Sequence, residues 1–285
     1  MKTLWTFLIV AASVGSAADA PRRIISTSPG ITEILFGLGL GDRVKGVTNY
    51  CKYPPEVTKL PKVGTWVTPN MEVILSLKPD LIVVQRTNVH DAARFQTVKL
   101  KTLEVHLDVV ADIEGTIDVI GNAAGVPERA RALNAKIRKG LAEIQSKVAA
   151  ASRTRVLFVV GRNPGTLDGM IAVGPKSYLD EVVAIAGGRN ILSDAKVPYV
   201  KVLHEEIVAR NPQVIVDIGE HADAASITPE QARREVALWS RYPTLAAVRD
   251  KRIHIVASEL FVVPGPRVLE CAQRLAALLH PELFR

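Results

Sequence analysis

The chain contains one segment twice, and this repeat limits the folds that it can adopt. Residues 71–84 read MEVILSLKPDLIVV, and residues 204–217 read HEEIVARNPQVIVD. In both, a glutamate stands seven places before a proline, namely Glu72 and Glu205. Each copy begins with a short helical pattern, and the proline ends that helix before an apolar strand. A duplicated helix-proline-strand unit indicates two similar halves.

Strand and helix patterns alternate along most of the chain. The runs RIISTS (23–28), LIVV (81–84), RVLFVV (155–160) and VIVDIG (214–219) are short, mostly apolar and rich in β-branched residues, as strands are. ITEILFGLGL (31–40) carries its apolar residues at helical spacing. Apolar strands that alternate with helices are typical of a parallel sheet covered on both faces. The sequence therefore predicts an α/β protein with two similar lobes and mainly parallel sheets.

One long helical pattern separates the two copies of the repeat. Residues 127–151 begin with a proline, which suits the first position of a helix. Apolar residues then recur at steps of four and three, with charged residues on the other face: Leu133, Ile137, Leu141, Ile144 and Val148. We therefore divide the chain into an N-terminal lobe (19–126), a single bridging helix (127–151) and a C-terminal lobe (152–285).

The first 18 residues have the pattern of a secretory signal peptide. Lys2 precedes an apolar stretch from Leu4 to Val14, and small residues follow it. The stretch is shorter than the ~20 residues that a membrane-spanning helix needs. No cysteine lies near the expected cleavage point, which disfavours a lipid-anchored protein. We predict that residues 1–18 are removed and that the product is exported to the periplasm.

Charge and cysteine content exclude two classes of protein. The formal charge of +7 comes from 36 basic residues scattered among 29 acidic ones, without a basic run or interleaved aromatic residues. This pattern describes a solvated surface and argues against nucleic-acid binding. The two cysteines, Cys51 and Cys271, are too few for a disulfide framework and lie in different predicted lobes. We expect two unpaired thiols.

The repeated glutamates have two interpretations. A single glutamate in the first turn of a helix merely complements the helix dipole, for about 0.3–1 kcal/mol. Glu72 and Glu205, however, occupy equivalent places on two related lobes, so both should project from the same rim. Two fixed negative charges suit a partner with paired cations, and arginine suits best because its planar fork matches a carboxylate.

Residues 23–84 also carry a resemblance to a known family. The stretch from RIISTSPGITEILFGLGL through NYCKYPPE and KVGTW to KPDLIVV resembles the periplasmic binding proteins of ABC importers for cobalamin, haem and iron-siderophores. The resemblance extends over the mature chain and includes PYVKVLHEEIVARNPQVIV (198–216). It implies two α/β lobes bridged by one long helix, with a ligand in the cleft between them. We further predict a monomeric protein. In that family a glutamate on each lobe docks on arginines of the membrane permease dimer, and Glu72 and Glu205 match those positions.

Within the family the chain is most similar to the cobalamin branch. Tyr50 and Trp66 match aromatic residues that contact the corrinoid there, and Tyr199 falls where that branch often has a tryptophan. Rigid aromatic faces suit a large, flat, partly apolar ligand. Interior packing is the alternative for each of the three residues. Haem or a ferric siderophore is the alternative ligand.

Two stretches depart from the cobalamin pattern. Gln85 and Arg86 stand where some cobalamin binders have another aromatic residue. ASELFVVPGPR (257–267) is only loosely similar to the last cleft loop of the family. Phe261 and Arg267 are therefore weak candidates for ligand contact, and we prefer structural roles for both.

Metal binding and catalysis find little support in the sequence. Six dispersed histidines show no metal-type pairing: His90, His106, His204, His221, His254 and His280. One of them could still reach the metal of a bound ligand. GLGLG (37–41) ends a helix and does not link a strand to one, so it does not predict a dinucleotide site. No nucleophile elbow, phosphate loop or Cys-x-x-Cys occurs, which leaves an exported hydrolase or redox enzyme as a distant alternative.

Overall fold

The computed structural model describes residues 20–65, 67–86, 95–219 and 227–284. The predicted signal peptide (1–18) and Trp66 lie outside these residues. Within this part of the chain, no helix is both long and apolar enough to cross a membrane.

The first half of the chain forms a parallel sheet of four strands in the order β2-β1-β3-β4. Its strands are β1 (Ile24–Ser26), β2 (Val44–Val47), β3 (Leu81–Gln85) and β4 (Thr102–Val105). Its helices are α1 (Pro29–Gly37), α2 (Met71–Ser76) and α3 (Val110–Ala123), with short 3-10 helices at Gly41–Arg43 and Pro55–Lys59.

The second half forms a mixed sheet in the order β10-β9-β5-β6-β8, with β7 paired to the start of β5. The strands are β5 (Thr154–Gly161), β6 (Ile171–Val173), β7 (Gly188–Asn190), β8 (Tyr199–Lys201), β9 (Val214–Asp217) and β10 (Ile253–Ile255). Strand β6 runs antiparallel to both of its neighbours, and the other pairs are parallel. The helices are α5 (Tyr178–Ile185), α6 (His204–Arg210), α7 (Pro229–Trp239), α8 (Ala246–Arg249), α9 (Ser258–Val262) and α10 (Val268–Leu279).

Between the sheets lies the long helix α4, which spans Pro127–Val148. It packs against α3 of the first half and against α5 and α10 of the second. Gly140 allows the close approach of α10, since a Cβ atom there would lie 2.5 Å from the Leu269 side chain. The buried stripe includes Asn134 where the apolar spacing predicted Leu133, because the Asn134 amide donates to the Glu114 carbonyl (3.0 Å) and to Asp118 (2.9 Å) on α3. A single helix thus bridges both lobes.

The sequence repeat is also a structural repeat. Strands β1, β3 and β4 are adjacent and parallel in the first sheet, as β5, β9 and β10 are in the second. The residues before the two prolines, Lys78 and Asn211, share a left-handed backbone with φ of 47° and 44°. The prediction of two related α/β lobes with mainly parallel sheets is confirmed, and β6 is the antiparallel strand that makes the second sheet mixed.

The largest buried cluster is continuous across the two lobes. It includes Ile24 and Val83 of the first sheet, Ile137 and Ile144 of α4, and Phe158 of the second sheet. Since the apolar core does not stop at the lobe boundary, the two sheets are held in one arrangement by burial as well as by the helix.

Candidate functional site

Tyr50 lies in the loop that follows β2 at the carboxyl edge of the first sheet. Ligands of open α/β sheets bind outside this edge. The loop is held by the N–H of Asn49, which donates to the Gly64 carbonyl (2.9 Å), and by the N–H of Cys51, which donates to the Thr48 carbonyl (3.1 Å). The Tyr50 side chain is 45% exposed. The protein therefore presents an aromatic ring to solvent from a well-supported backbone.

A tight turn flanks the position of Trp66. The N–H of Thr65 donates to the Thr68 carbonyl (3.1 Å), and the two threonine hydroxyls lie 2.8 Å apart. Gly64 has a φ of +89°, and a Cβ atom there would lie 2.5 Å from the Thr68 oxygen, so the turn requires glycine. Trp66 lies outside the described residues, and its contact with a ligand stays a prediction.

Tyr199 begins β8 in the second sheet and is 50% exposed. Its partial burial raises its pKa, and the Asp108 carboxylate raises that pKa further. Asp108 follows β4 of the first sheet, so this carboxylate belongs to the other lobe. The contact of Tyr199 with a ligand stays a prediction.

Arg267 links the lobes through its guanidinium group. Its Nε donates to Glu33 Oε2 (3.0 Å) and its Nη2 to Glu33 Oε1 (2.5 Å), while Glu259 accepts a further bond of 3.2 Å. The guanidinium also lies 4.0 Å from the centre of the Tyr53 ring. Glu33 is a buried residue of α1 whose pKa is raised by burial, against the opposing effect of Arg267. Arg267 is thus an interlobe clamp.

Phe261 belongs to the core. Its ring is 1% exposed and packs edge-on against Phe158, with the centroids 5.7 Å apart. In this structure the Phe261 ring offers no accessible face to a ligand. Arg267 is already bound by two carboxylates and a ring. The surroundings of Phe261 and Arg267 therefore agree with structural roles for both residues.

Glu72 and Glu205 are both exposed. Neither takes part in a hydrogen bond or ion pair within the part of the chain that the structure describes. Glu206, next to the second glutamate, is instead paired with Arg210 at 2.9 Å. Two carboxylates in equivalent places of the repeat therefore remain available to a partner.

A cluster of buried charges at the carboxyl edge of the second sheet was missed by sequence reasoning. Arg162, after β5, donates to Asp217 at the end of β9 (3.1 Å) and also pairs with Glu235 of α7. Trp239 donates to the same Asp217 oxygen (2.9 Å). The only sequence signal was an aspartate inside the apolar run VIVDIG. The cluster cross-links three elements behind the cleft edge.

Potential metal-binding side chains do not gather at one place in the described part of the chain. Among the described residues there is no group of three or more histidine, cysteine, aspartate or glutamate side chains that could hold a metal ion. His204 contacts the Leu167 carbonyl (2.8 Å) and His280 the Gly187 carbonyl (3.2 Å). His90 and His221 lie outside the described residues.

Both cysteines are unpaired, as predicted, and both are buried. Burial raises the pKa of the Cys51 thiol, and it raises the pKa of Cys271 to about 12. Thiols held in the protonated form are poor nucleophiles. Neither cysteine is suited to nucleophilic chemistry at neutral pH.

Comparison with known proteins gives a consistent result. A family described as periplasmic binding protein matches residues 24–258. A vitamin B12-binding protein of Vibrio cholerae is 26% identical over 277 residues, covering 96% of this chain and 95% of that protein. An uncharacterized ABC transporter substrate-binding lipoprotein, YvrC of Bacillus subtilis, is 30% identical over 274 residues, covering 93% and 82%. The solved structure of the periplasmic heme-binding protein RhuT from Roseiflexus sp. RS-1 superposes with a TM-score of 0.78 at 24% identity, covering 92% and 99%.

Proposed function

The chain belongs to the periplasmic binding protein family, and from that premise we propose that it captures a corrinoid in the cleft between its lobes. It then delivers the ligand to the permease dimer of an ABC importer. The family consists of substrate-binding proteins, so the distant alternative of an exported hydrolase or redox enzyme is set aside. We propose that the protein is exported by residues 1–18 and works as a monomer.

The observation that carries the ligand proposal is a pair of half-exposed tyrosines, one from each lobe. Tyr50 stands at the carboxyl edge of the first sheet, and Tyr199 stands in the second sheet within electrostatic reach of Asp108. Each of the two rings is half exposed in the free protein, so each has a face or edge available for contact with a large ligand. Flat rings suit the face or edge of a corrin macrocycle. We propose Trp66 as a third aromatic contact, because it matches an aromatic residue of the cobalamin branch.

Tyr199 is held as the neutral phenol in the free protein, because burial and the Asp108 carboxylate both raise its pKa. A neutral aromatic ring of this kind can pack against the face or edge of a flat ligand.

Haem is the second candidate. A heme-binding protein and a vitamin B12-binding protein resemble this chain at 24% and 26% identity, so overall similarity favours neither ligand. His106 is an exposed histidine directly after β4, at the carboxyl edge of the first sheet, and is a candidate ligand for a haem iron. A ferric siderophore is the third candidate, without a feature that favours it.

One experiment separates the three ligands. The exported protein is incubated in parallel with cyanocobalamin, haemin and ferrichrome, passed through a desalting column and examined by absorbance. We expect retention of the corrinoid spectrum at a 1:1 ratio. If the protein retained only haemin, seen by its Soret band, the ligand would be haem and not a corrinoid. Retention of none of the three would refute the proposal for these ligand classes.

We propose that Glu72 and Glu205 dock on cations of the permease. Both carboxylates are exposed and unpaired among the described residues, on equivalent helices of the two lobes. A permease dimer offers each of its own basic residues twice, so a protein with two related carboxylates can engage both copies. Exposed charges of this kind steer association and give it strong salt dependence.

A further inference from the structure

We propose that the docking surface has an apolar part as well as the two carboxylates, formed by Leu75 and Val208 and extended on the C-terminal lobe by Leu203. This inference rests on the docking role of Glu72 and Glu205 proposed above. Its occupant is the permease dimer, whose basic residues would lie beside apolar side chains at each of the two contacts.

The two aliphatic residues occupy the same place in the repeat. Leu75 is 45% exposed and follows Glu72 by three residues, and Val208 is 41% exposed and follows Glu205 by three residues. Residues three apart lie on the same face of a helix. One exposed leucine is ordinary on a protein surface. The same exposed pair of a carboxylate and an aliphatic side chain on both lobes is not explained by chance exposure alone.

Both short helices are held to their lobes in the same way. Two residues after each glutamate, Ile74 and Ile207 are buried in the core. At the other end, Arg23 before β1 donates to the Leu77 carbonyl (2.6 Å), and Arg155 of β5 donates to the Asn211 carbonyl (3.1 Å). Since each helix is anchored by a buried isoleucine and an arginine bond, each presents its exposed pair in a defined direction.

Leu203 supplies independent support. At the start of α2, Asn70 caps the helix, because its side chain accepts a bond from the N–H of Val73 (3.1 Å). The equivalent residue of α6 is Leu203, which makes no capping bond and is 64% exposed. Leucine is among the poorer residues at this position, and asparagine is among the best. Leu203 therefore stabilises its helix less than asparagine would, and contact with a partner accounts for an exposed leucine at this position.

A permease is the partner that fits these features. The surface repeats once on each lobe, which matches a partner with twofold symmetry. Its carboxylates need cations, and the methylene stems of arginine and lysine side chains pack against aliphatic groups while the charges pair. The aliphatic part should then contribute affinity that does not depend on salt, because burial of apolar surface is not screened.

The test measures binding of four proteins to the importer's own permease dimer in lipid nanodiscs, at low and high salt. These are the unmodified chain, Glu72→Ala with Glu205→Ala, Leu75→Gln with Val208→Gln, and Val119→Gln. Val119 is the control, since it is 42% exposed, about as much as Val208, but lies on α3 outside the proposed docking surface. No glutamate stands three residues before it. Ligand titration and thermal unfolding on the same proteins report on folding.

We expect the Leu75→Gln, Val208→Gln protein to bind the permease about 10-fold more weakly, with the same factor at both salt concentrations. The carboxylate variant should lose binding mainly at low salt, and Val119→Gln should bind normally. If the carboxylate variant is impaired while the glutamine variant is not, the apolar inference is wrong and the docking proposal stands. If the carboxylate variant binds normally, the docking proposal itself fails.

Leu203→Asn separates contact from stability. Gain of the cap should raise the melting temperature by roughly 2 °C, while binding to the permease should weaken about threefold. A purely structural role for Leu203 predicts unchanged binding. That result would remove Leu203 from the docking surface.

Discussion

The buried polar side chains at the carboxyl edges of the two sheets differ in charge. In the first lobe the hydrogen-bonding side chains are neutral: the Thr32 hydroxyl donates to Ser26 Oγ (2.8 Å), and Cys51 Sγ lies 3.2 Å from the hydroxyls of Thr32 and Thr48. In the second lobe the corresponding region holds a buried arginine between two carboxylates. One duplicated template therefore carries a neutral network in one copy and a charged network in the other.

The difference teaches how the lobes should respond to substitution. A neutral hydrogen bond contributes about 1 kcal/mol net and can be replaced by an apolar group of the same shape at modest cost. A buried charge whose partner is removed has no such substitute, because it keeps its full desolvation penalty. The charged edge should therefore be the more fragile one. Substitutions at the charged edge should therefore have the largest effects on stability.

Arg162→Met should destabilise the protein by about 3–5 kcal/mol, because Asp217 and Glu235 would remain buried without their cation. Thr32→Val in the first lobe is the matched comparison and should cost only about 1 kcal/mol. Urea unfolding measures both free energies. Equal losses in the two variants would contradict the contrast between the edges.

Arg267→Met tests the contact between the lobes. The side chain is 14% exposed and pairs with Glu33 of the other lobe, so its loss should cost about 2–3 kcal/mol, less than for the fully buried Arg162. Unfolding should remain a single transition at lower urea, since the continuous apolar core still joins the sheets. Two separate transitions would show that the clamp, and not the core, couples the lobes.

Tyr50→Ala and Tyr199→Ala compare the lobes as ligand-binding surfaces. Each should weaken corrinoid binding by about 1–3 kcal/mol while leaving folding intact, because both rings are half exposed in the free protein. Calorimetry measures the affinities, and Phe261→Leu serves as a control that alters the core without altering the cleft surface. Loss of affinity in only one tyrosine variant would place the ligand on a single lobe.

The Cys271 thiol should make stability depend on alkaline pH. Its folded pKa of about 12 lies above the ordinary value of 9.0, so below pH 9 both states keep the proton and the contribution is complete. As the pH rises further the unfolded thiol ionises first, and stability falls until the folded thiol ionises as well. From roughly pH 8 to pH 10 the loss should be about 1 kcal/mol. Cys271→Ala should lose correspondingly less stability over that interval in urea titrations, and an identical slope in both proteins would rule out this thiol as the cause.

Local pattern was enough for much of the fold. Helical and strand periodicity identified the strands LIVV and VIVDIG and the long helix, which begins at the predicted Pro127 and ends at Val148. The repeated proline segment identified the duplicated lobes. These features depend on residues within a few positions of one another, where spacing alone decides which side chains share a face.

The environments of single side chains were harder to predict from the sequence than the helices and strands. Asn134 takes the buried place that apolar spacing gave to Leu133, because α3 supplies partners for its amide. The exposure of Leu75 and Val208 could not be predicted from the sequence either, since an apolar residue in a short amphipathic helix is normally expected to be buried. Only the packing of each helix on its own sheet shows which apolar residues remain outside.

The sequence by itself determined the α/β class, the duplication, the bridging helix and the paired glutamates, because each follows from the spacing of nearby residues or from the repeated segment. The tertiary structure decided which groups meet at a distance. Glu33 and Arg267 are 234 residues apart, and Arg162 and Glu235 are 73 apart. Nothing in the local chain selects such partners, since the contact exists only after burial has brought the strands and helices together and has made an unpaired charge too costly to keep.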